Sequence, residues 1–144
     1  MISATPEFLS PLRLEWRPEV AVWELTAPLV YRSAVLRVTL TIPTGFWTDL
    51  VSIPRWTGLG FVLLAGRANA PAVLHDYLYQ SHAATKRLAD RTLLEAMCAT
   101  REPRWARAVI YAGTVLCGHY AYFIAAPRLF TRYANDYALA QRMR

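Results

Sequence analysis

Ionisable and hydroxyl side chains are concentrated in residues 45–90 of a chain that is otherwise strongly apolar. Apolar residues make up 55% of the 144 positions, above the value of about 45–50% that is usual for globular domains. Charged groups among apolar neighbours cost free energy unless they are paired, hydrogen-bonded or bound to a metal. The segment must therefore fold into a functional pocket or into a polar network that locks the fold.

The N-terminal third has the pattern of β-strands. Polar and apolar residues alternate over residues 37–42 and 12–16, and residues 20–25 are rich in β-formers, which predicts three strands. Pro43 and Gly45 are expected to end the sheet. Residues 12–48 are thus predicted to form a small, mostly antiparallel sheet.

The remainder, residues 52–143, has the pattern of helices. Asn69 before Pro71 fits a capped helix start and predicts a helix over residues 70–80. Thr85 is expected to cap a second helix that ends near residue 100, and Pro103 to begin a third. Pro127 would end the third helix and begin a fourth. Strands followed by helices predict an α+β fold with a bundle of three to four helices, in a single domain over residues 1–144.

Residues 108–126 allow two interpretations. Their length and composition approach those of a membrane span, but two glycines and several aromatic residues fit a buried central helix as well. In the second interpretation His119 is a core histidine. Independently of that choice, Cys98 and Cys117 lie among apolar residues and are expected to be buried free thiols of a protein in a reducing compartment.

The charge balance argues against one class of partner. The net charge is +6, but the arginines are scattered along the chain, whereas a nucleic-acid footprint needs a cluster of cations. Nucleic acid is therefore not an expected partner.

Residues 45–90 include four candidate ligands for one divalent metal ion: Asp49, His75, Asp76 and Asp90. Mixed nitrogen and oxygen ligands suit zinc or manganese, and such a metal would turn bound water into a nucleophile. Without a metal, His75 is a candidate general base oriented by Asp90 or Asp49. Ser52 is a candidate nucleophile, although no Gly-x-Ser-x-Gly pattern surrounds it.

The same residues also fit a purely structural role. Asp49 would cap a turn, and His75 would bond to a backbone carbonyl. Arg87 and Asp90 are three positions apart and would pair on a helix surface, with Tyr79 as a packing aromatic. The sequence leaves the choice between a site and a structural network open.

Three ordered motifs carry a resemblance to a known family. They are Phe-x-Thr-Asp-x-x-Ser-x-Pro at residues 46–54, His-Asp-x-Leu-Tyr at residues 75–79, and Arg-x-Ala-Asp at residues 87–90. With this pattern over residues 34–120, the chain resembles the phage and prophage proteins grouped as the domain of unknown function 1353.

The resemblance implies a context. It implies a bacteriophage or prophage accessory protein. The candidate site residues add the expectation of a His/Asp pocket and of a metal-dependent hydrolase that acts on peptidoglycan fragments or phosphoesters. The alternative is a virion or tail component, or a factor that binds a host protein. The expected location is the cytoplasm of the bacterial host or the virion, and a membrane-associated lysis factor is a third option.

Overall fold

The computed structural model describes residues 5–50, 68–120 and 122–123. Its N-terminal part contains two small antiparallel sheets, and three helices follow. The fold class is therefore α+β, as the order of the sequence patterns predicted.

Six strands form the two sheets, in the orders β1-β4-β5 and β2-β3-β6. The strands are β1 (Glu7–Phe8), β2 (Leu14–Arg17), β3 (Val22–Leu25), β4 (Leu29–Ser33), β5 (Val38–Ile42) and β6 (Trp47–Thr48). The three predicted strands correspond to β2, β3 and β5. The chain changes sheet between β3 and β4 at Pro28, which has no N–H group to continue a ladder, so the predicted single sheet is split in two.

Three helices follow: α1 (Asn69–Ser81), α2 (Lys86–Ala99) and α3 (Arg104–Tyr120). The bounds of α1 and α2 match the predicted helices within two residues, and α3 begins one residue after Pro103, whereas its predicted end at Pro127 lies outside the described residues. The Thr85 hydroxyl caps α2 by accepting from the Leu88 N–H. The predicted Asn69 cap is wrong, because Ala68 occupies the N-cap position and makes no side-chain cap bond. Pro54, Pro127 and the predicted fourth helix lie outside the described residues.

The core joins the sheets to α1 and α2. Buried side chains of β3, β4 and β5 pack against α1 and the inner face of α2, and the largest of them are Leu25, Leu29, Tyr31, Ile42, Leu74 and Leu78. This packing sets both helices against the strands, so polar residues of α1 are buried with the apolar ones.

Glu95 of α2 ties this helix to the turn that follows β4. One carboxylate oxygen accepts from the Tyr31 hydroxyl at 3.1 Å and the Ser33 hydroxyl at 2.8 Å. The other accepts from the backbone N–H groups of Ala34 at 3.0 Å and Val35 at 2.8 Å. Beside this carboxylate the pKa of Tyr31 is raised by burial first and by the charge of Glu95 second.

Replacing Glu95 with alanine is expected to lower the free energy of unfolding by about 2–3 kcal/mol, because hydrogen bonds to a charged acceptor are lost and a buried hydroxyl is left unpaired. Urea denaturation measures the change. Glu7→Ala is the matched control, since Glu7 pairs with Arg32 at an exposed position and should cost below about 1 kcal/mol. Equal losses in the two variants would contradict the assigned role of Glu95.

Helix α3 lies at the surface rather than in the centre of the fold. Only Ala106, Ile110 and Gly118 of this helix are buried. The predictions of a buried central helix, a core His119 and buried thiols at Cys98 and Cys117 are therefore wrong, since these three side chains are exposed. Apolar sequence neighbours suggested burial, but Leu116 and Tyr120 beside Cys117 and His119 are themselves exposed, and Cys98 points away from the buried face that holds Met97. None of the helices in the described ranges is long and apolar enough to span a membrane.

Candidate functional site

The first two helices bring together residues that are 11 to 15 positions apart. His75 and Tyr79 lie one turn apart on α1, and Lys86 and Asp90 lie one turn apart on α2. Residues 82–85 return the chain between these helices, so the two pairs face each other. The His75 and Tyr79 rings also contact one another, with centroids 4.0 Å apart.

Asp90 is the centre of the cluster and is buried. Its Oδ1 lies 3.0 Å from His75 Nε2 and accepts from the Tyr79 hydroxyl at 2.5 Å. Its Oδ2 accepts from Lys86 Nζ at 2.7 Å. Both carboxylate oxygens are therefore bonded, and a buried charge is compensated as its position requires.

The surroundings keep this carboxylate ionised. Burial by itself raises the pKa of Asp90, but the hydrogen bonds from His75, Lys86 and Tyr79 outweigh it and lower the pKa to about 2. Burial also lowers the pKa of His75, against the opposing effect of its bond to Asp90, and raises that of Tyr79. Near neutral pH the cluster thus holds an aspartate anion and a neutral imidazole.

These charge states fix the tautomer of His75. An ionised carboxylate accepts hydrogen bonds and has no proton to give, so His75 Nε2 must carry the proton that it shares with Asp90. In a neutral imidazole the lone pair is then on Nδ1. A histidine held in this way is oriented to take a proton through Nδ1.

Asp76 connects the cluster to the second sheet. It is buried on α1 next to His75, and its Oδ2 accepts from the hydroxyl of Thr48 in β6. The same hydroxyl accepts from the Leu50 N–H at 3.2 Å, and Leu50 has a positive φ of 55°. Leu50, two residues after the end of β6, is thereby fixed to the helix that carries His75.

Helix α3 closes the cluster on the remaining side. The carbonyl of Thr114 accepts from Lys86 Nζ at 3.2 Å. Gly118 packs so closely that an added Cβ would lie 2.6 Å from the Tyr79 hydroxyl. Beyond it Tyr122 contacts the Tyr79 ring, with centroids 5.1 Å apart. The cluster is therefore enclosed by three helices.

Gly118→Ala is expected to destabilise the protein by about 1–3 kcal/mol, because the new methyl group overpacks the space beside the Tyr79 hydroxyl. Gly113→Ala is the control on the same helix: a Cβ there meets nothing within 4 Å, and this change should stabilise by about 0.5–1 kcal/mol through helix propensity. Thermal denaturation measures both.

Tyr79→Phe provides the second check, because it removes the hydroxyl that the new methyl group would strike. The double variant with Gly118→Ala should lose less stability than the two single variants added together, with a coupling of about 1 kcal/mol or more. Strict additivity would contradict the close approach.

Acid is expected to destabilise the protein in two steps. Because the folded pKa of His75 is lowered, only the unfolded chain takes up that proton as the pH falls through about 6.5, so stability present at higher pH is lost. The folded pKa of Asp90 is lowered to about 2, so a further loss of about 2 kcal/mol follows between about pH 4 and 2. Urea midpoints measured from pH 8 to 2 test this, and His75→Gln should remove the first step alone.

Of the four predicted metal ligands, the structure bonds His75 to Asp90. Within residues 5–50, 68–120 and 122–123, no group of three or more His, Cys, Asp or Glu side chains is placed to hold a metal ion. His75 is bonded to Asp90, Asp76 to Thr48, and half-buried Asp49 directly follows β6. Ser52 lies outside the described residues.

Lys86 and Gly118 were not assigned to this cluster from the sequence. The prediction paired Asp90 with Arg87, but Arg87 is exposed, and Lys86, four positions before Asp90, makes the ion pair. The i,i+4 spacing was the available signal for Lys86. No local signal pointed to Gly118, because its role depends on how α3 packs.

Comparisons with known proteins give one match. The family model described as "Protein of unknown function (DUF1353)" matches residues 23–114, which include the strands from β3 onward, the Asp90 cluster and most of α3. Neither a curated protein nor a solved structure matches the chain significantly. Since the family model covers well over half of the 144 residues, the chain belongs to the DUF1353 family.

Proposed function

We propose that this chain is a hydrolase of phage or prophage origin in which His75 is the general base. The observation that carries the proposal is the bond between His75 Nε2 and Asp90 Oδ1 at 3.0 Å, with Asp90 held ionised by Tyr79 and Lys86. A neutral imidazole whose second nitrogen is oriented by a carboxylate is the arrangement that general-base catalysis uses.

In this mechanism His75 Nδ1 removes a proton from water as the water attacks an ester carbonyl or phosphorus. The imidazolium that forms is stabilised by the Asp90 carboxylate, and the proton then passes to the leaving group. Asp90 is a positioning residue, since it acts through His75. Burial of the pair strengthens their interaction because the local dielectric is low.

The test is hydrolysis of aryl carboxylic esters, phosphoesters and peptidoglycan fragments by the purified protein, compared with His75→Gln. His119→Gln is the control, because His119 is exposed on α3 and contacts the Phe123 ring rather than the cluster. Turnover that His75→Gln loses and His119→Gln keeps would support the proposal. Absence of turnover in all three substrate classes would refute it.

A second candidate function is a virion or tail component, or a factor that binds a host protein, in which the cluster is a structural lock. The observation in its favour is that Asp90 contacts groups of α1 and α2, while Lys86 also bonds to α3. Mass spectrometry of purified virions tests it. Detection there supports the structural role, and absence favours a protein that acts in the cytoplasm of the bacterial host.

A further inference from the structure

Lys86 connects the Asp90 carboxylate to helix α3. Its Nζ donates to Asp90 Oδ2 at 2.7 Å and to the Thr114 carbonyl at 3.2 Å. Only 15% of its side chain is exposed, and lysine is almost never buried unless it is paired. The amine is therefore held at one place in the cluster, with an acceptor on each of two helices.

Two positions of α3, one helical turn apart, hold this side chain. Thr114 supplies the carbonyl, and Gly118 allows the close approach, because a Cβ there would lie 3.5 Å from Lys86 Nζ and 2.6 Å from the Tyr79 hydroxyl. A lysine side chain has many rotamers, so it needs such contacts to stay in one of them. Helix α3 thus touches two of the three groups that bond to Asp90.

The bond to Oδ2 fixes the plane of the Asp90 carboxylate. The terminal torsion of an aspartate is broad, so a carboxylate that is held at one oxygen alone can turn about it. His75 and Tyr79 bond to Oδ1, and Lys86 bonds to Oδ2. Because both oxygens are held, the direction of the bond to His75 Nε2 is fixed, and the direction of Nδ1 is fixed with it.

The charge of Lys86 also helps to keep the imidazole neutral. Asp90 and Lys86 form a salt bridge, so the carboxylate does not need a proton on His75 to compensate it. Without Lys86, the buried carboxylate would favour a protonated His75 as its partner. Burial lowers the pKa of His75 most, and the charge of Lys86 lowers it further, against the opposing bond to Asp90 and the charge of Asp90.

The other titratable groups around His75 are already accounted for. On its own helix Asp76 follows His75 directly, and Tyr79, whose pKa burial raises, lies one turn further on. Strand β6 contributes the uncharged hydroxyl that bonds to Asp76. Helix α3 presents a backbone carbonyl and a glycine to the cluster. Among the described residues, the charges that act on His75 are those of Asp90 and Lys86.

From these contacts we infer that Lys86 is a positioning residue of the general base and that α3 regulates the site by holding Lys86 in place. The inference rests on the proposed hydrolase function. Lys86 acts on His75 through Asp90 rather than on the substrate. When α3 moves away from α1 and α2, the carboxylate can turn and His75 is protonated more easily, and a protonated imidazole is no longer a base.

The role of Lys86 is tested with Lys86→Met, which keeps an unbranched stem and removes the amine. On the ester that the wild-type protein turns over, kcat on the high-pH plateau should fall by about 10- to 100-fold, because the imidazole is no longer aligned, while KM changes little. The pH of half-maximal rate should rise, because His75 is protonated more easily. Arg87→Met is the matched control: it removes the neighbouring, exposed cation and should change neither quantity.

The role of α3 is tested with Gly118→Ala, whose methyl group pushes the helix away from Tyr79 and therefore from Lys86. Its kcat should fall by a smaller factor than that of Lys86→Met, and its pH of half-maximal rate should also rise. Gly113→Ala adds a methyl group that meets nothing within 4 Å and should leave both quantities unchanged. Equal kinetics in the two glycine variants would overturn the regulation by α3.

Proton NMR of the His75 ring gives a readout that does not depend on turnover. The signal is assigned by its loss in His75→Gln, and its titration gives the pH at which the imidazole is half protonated. Lys86→Met should raise this pH, and Arg87→Met should leave it unchanged. A role of Lys86 in stability alone would lower the urea midpoint without moving this pH.

The two readouts separate failure of the inference from failure of the proposed hydrolase. Wild-type kcat and an unchanged NMR titration in Lys86→Met would overturn the role of Lys86 and leave the hydrolase intact. Absence of turnover on every ester would refute the hydrolase, and a raised NMR titration would still support the control of His75 by Lys86. Circular dichroism checks the fold of each variant, and Lys86→Gln, which keeps a donor for Asp90 without the charge, replaces Lys86→Met if the latter is unfolded.

Discussion

Replacing Asp90 with alanine is expected to lower the free energy of unfolding by about 3–5 kcal/mol, the range measured when one partner of a buried ion pair is removed. The change leaves the Lys86 ammonium, the Tyr79 hydroxyl and the His75 Nε2–H group without their acceptor. The cost of three unpaired donors in a buried site exceeds that of the few lost packing contacts.

Urea denaturation measures this loss, and an unchanged slope with denaturant would show that the native state itself is weakened. Arg87→Ala is the control on the same helix, because Arg87 is exposed and its removal should change stability by below about 0.5 kcal/mol. A larger loss for Arg87→Ala than for Asp90→Ala would contradict the assignment of Lys86 as the partner of Asp90.

His75→Gln is expected to lower kcat by about 10²- to 10⁴-fold, the usual contribution of a positioned general base. The wild-type rate should rise with pH and be half-maximal below pH 6.5, because burial lowers the pKa of His75 from its ordinary value of 6.5. Only the neutral imidazole can accept a proton, so the rate follows the neutral fraction.

Steady-state kinetics from pH 4.5 to 8 measure both effects, on whichever ester the wild-type protein turns over. Asp90→Asn provides a second readout: an amide in that position no longer fixes the tautomer of His75, so kcat should fall while KM changes little. A pH profile that is flat across this range, with full activity in His75→Gln, would remove His75 from the reaction.

Local signals explain why the helices were predicted well. Thr85 has the side chain that an N-cap needs, and Pro103 favours a helix start directly after it. Both signals come from residues within four positions of the helix end, so these helix starts can be predicted without knowing the tertiary structure. Asn69 shows the limit of such local signals. It was predicted to be the N-cap, but α1 begins one residue earlier than that and has Ala68 at the N-cap.

The candidate site was predicted in part. His75 and Asp90 were both singled out because ionisable groups in apolar sequence need partners, and the structure pairs them directly. The hydrogen bonds that the Glu95 carboxylate accepts were not predicted, since their donors lie 60 to 64 positions away in the sequence. His119 was misassigned because apolar neighbours along a helix do not reveal which face points inward.

The position of Asp90 between three helices affects how these helices unfold locally. Because Lys86 bonds to both Asp90 and Thr114, withdrawing the carboxylate loosens α1, α2 and α3 together. We expect the backbone amides of these helices to exchange with deuterated water as one cooperative unit, while amides of the short edge strand β1 exchange sooner.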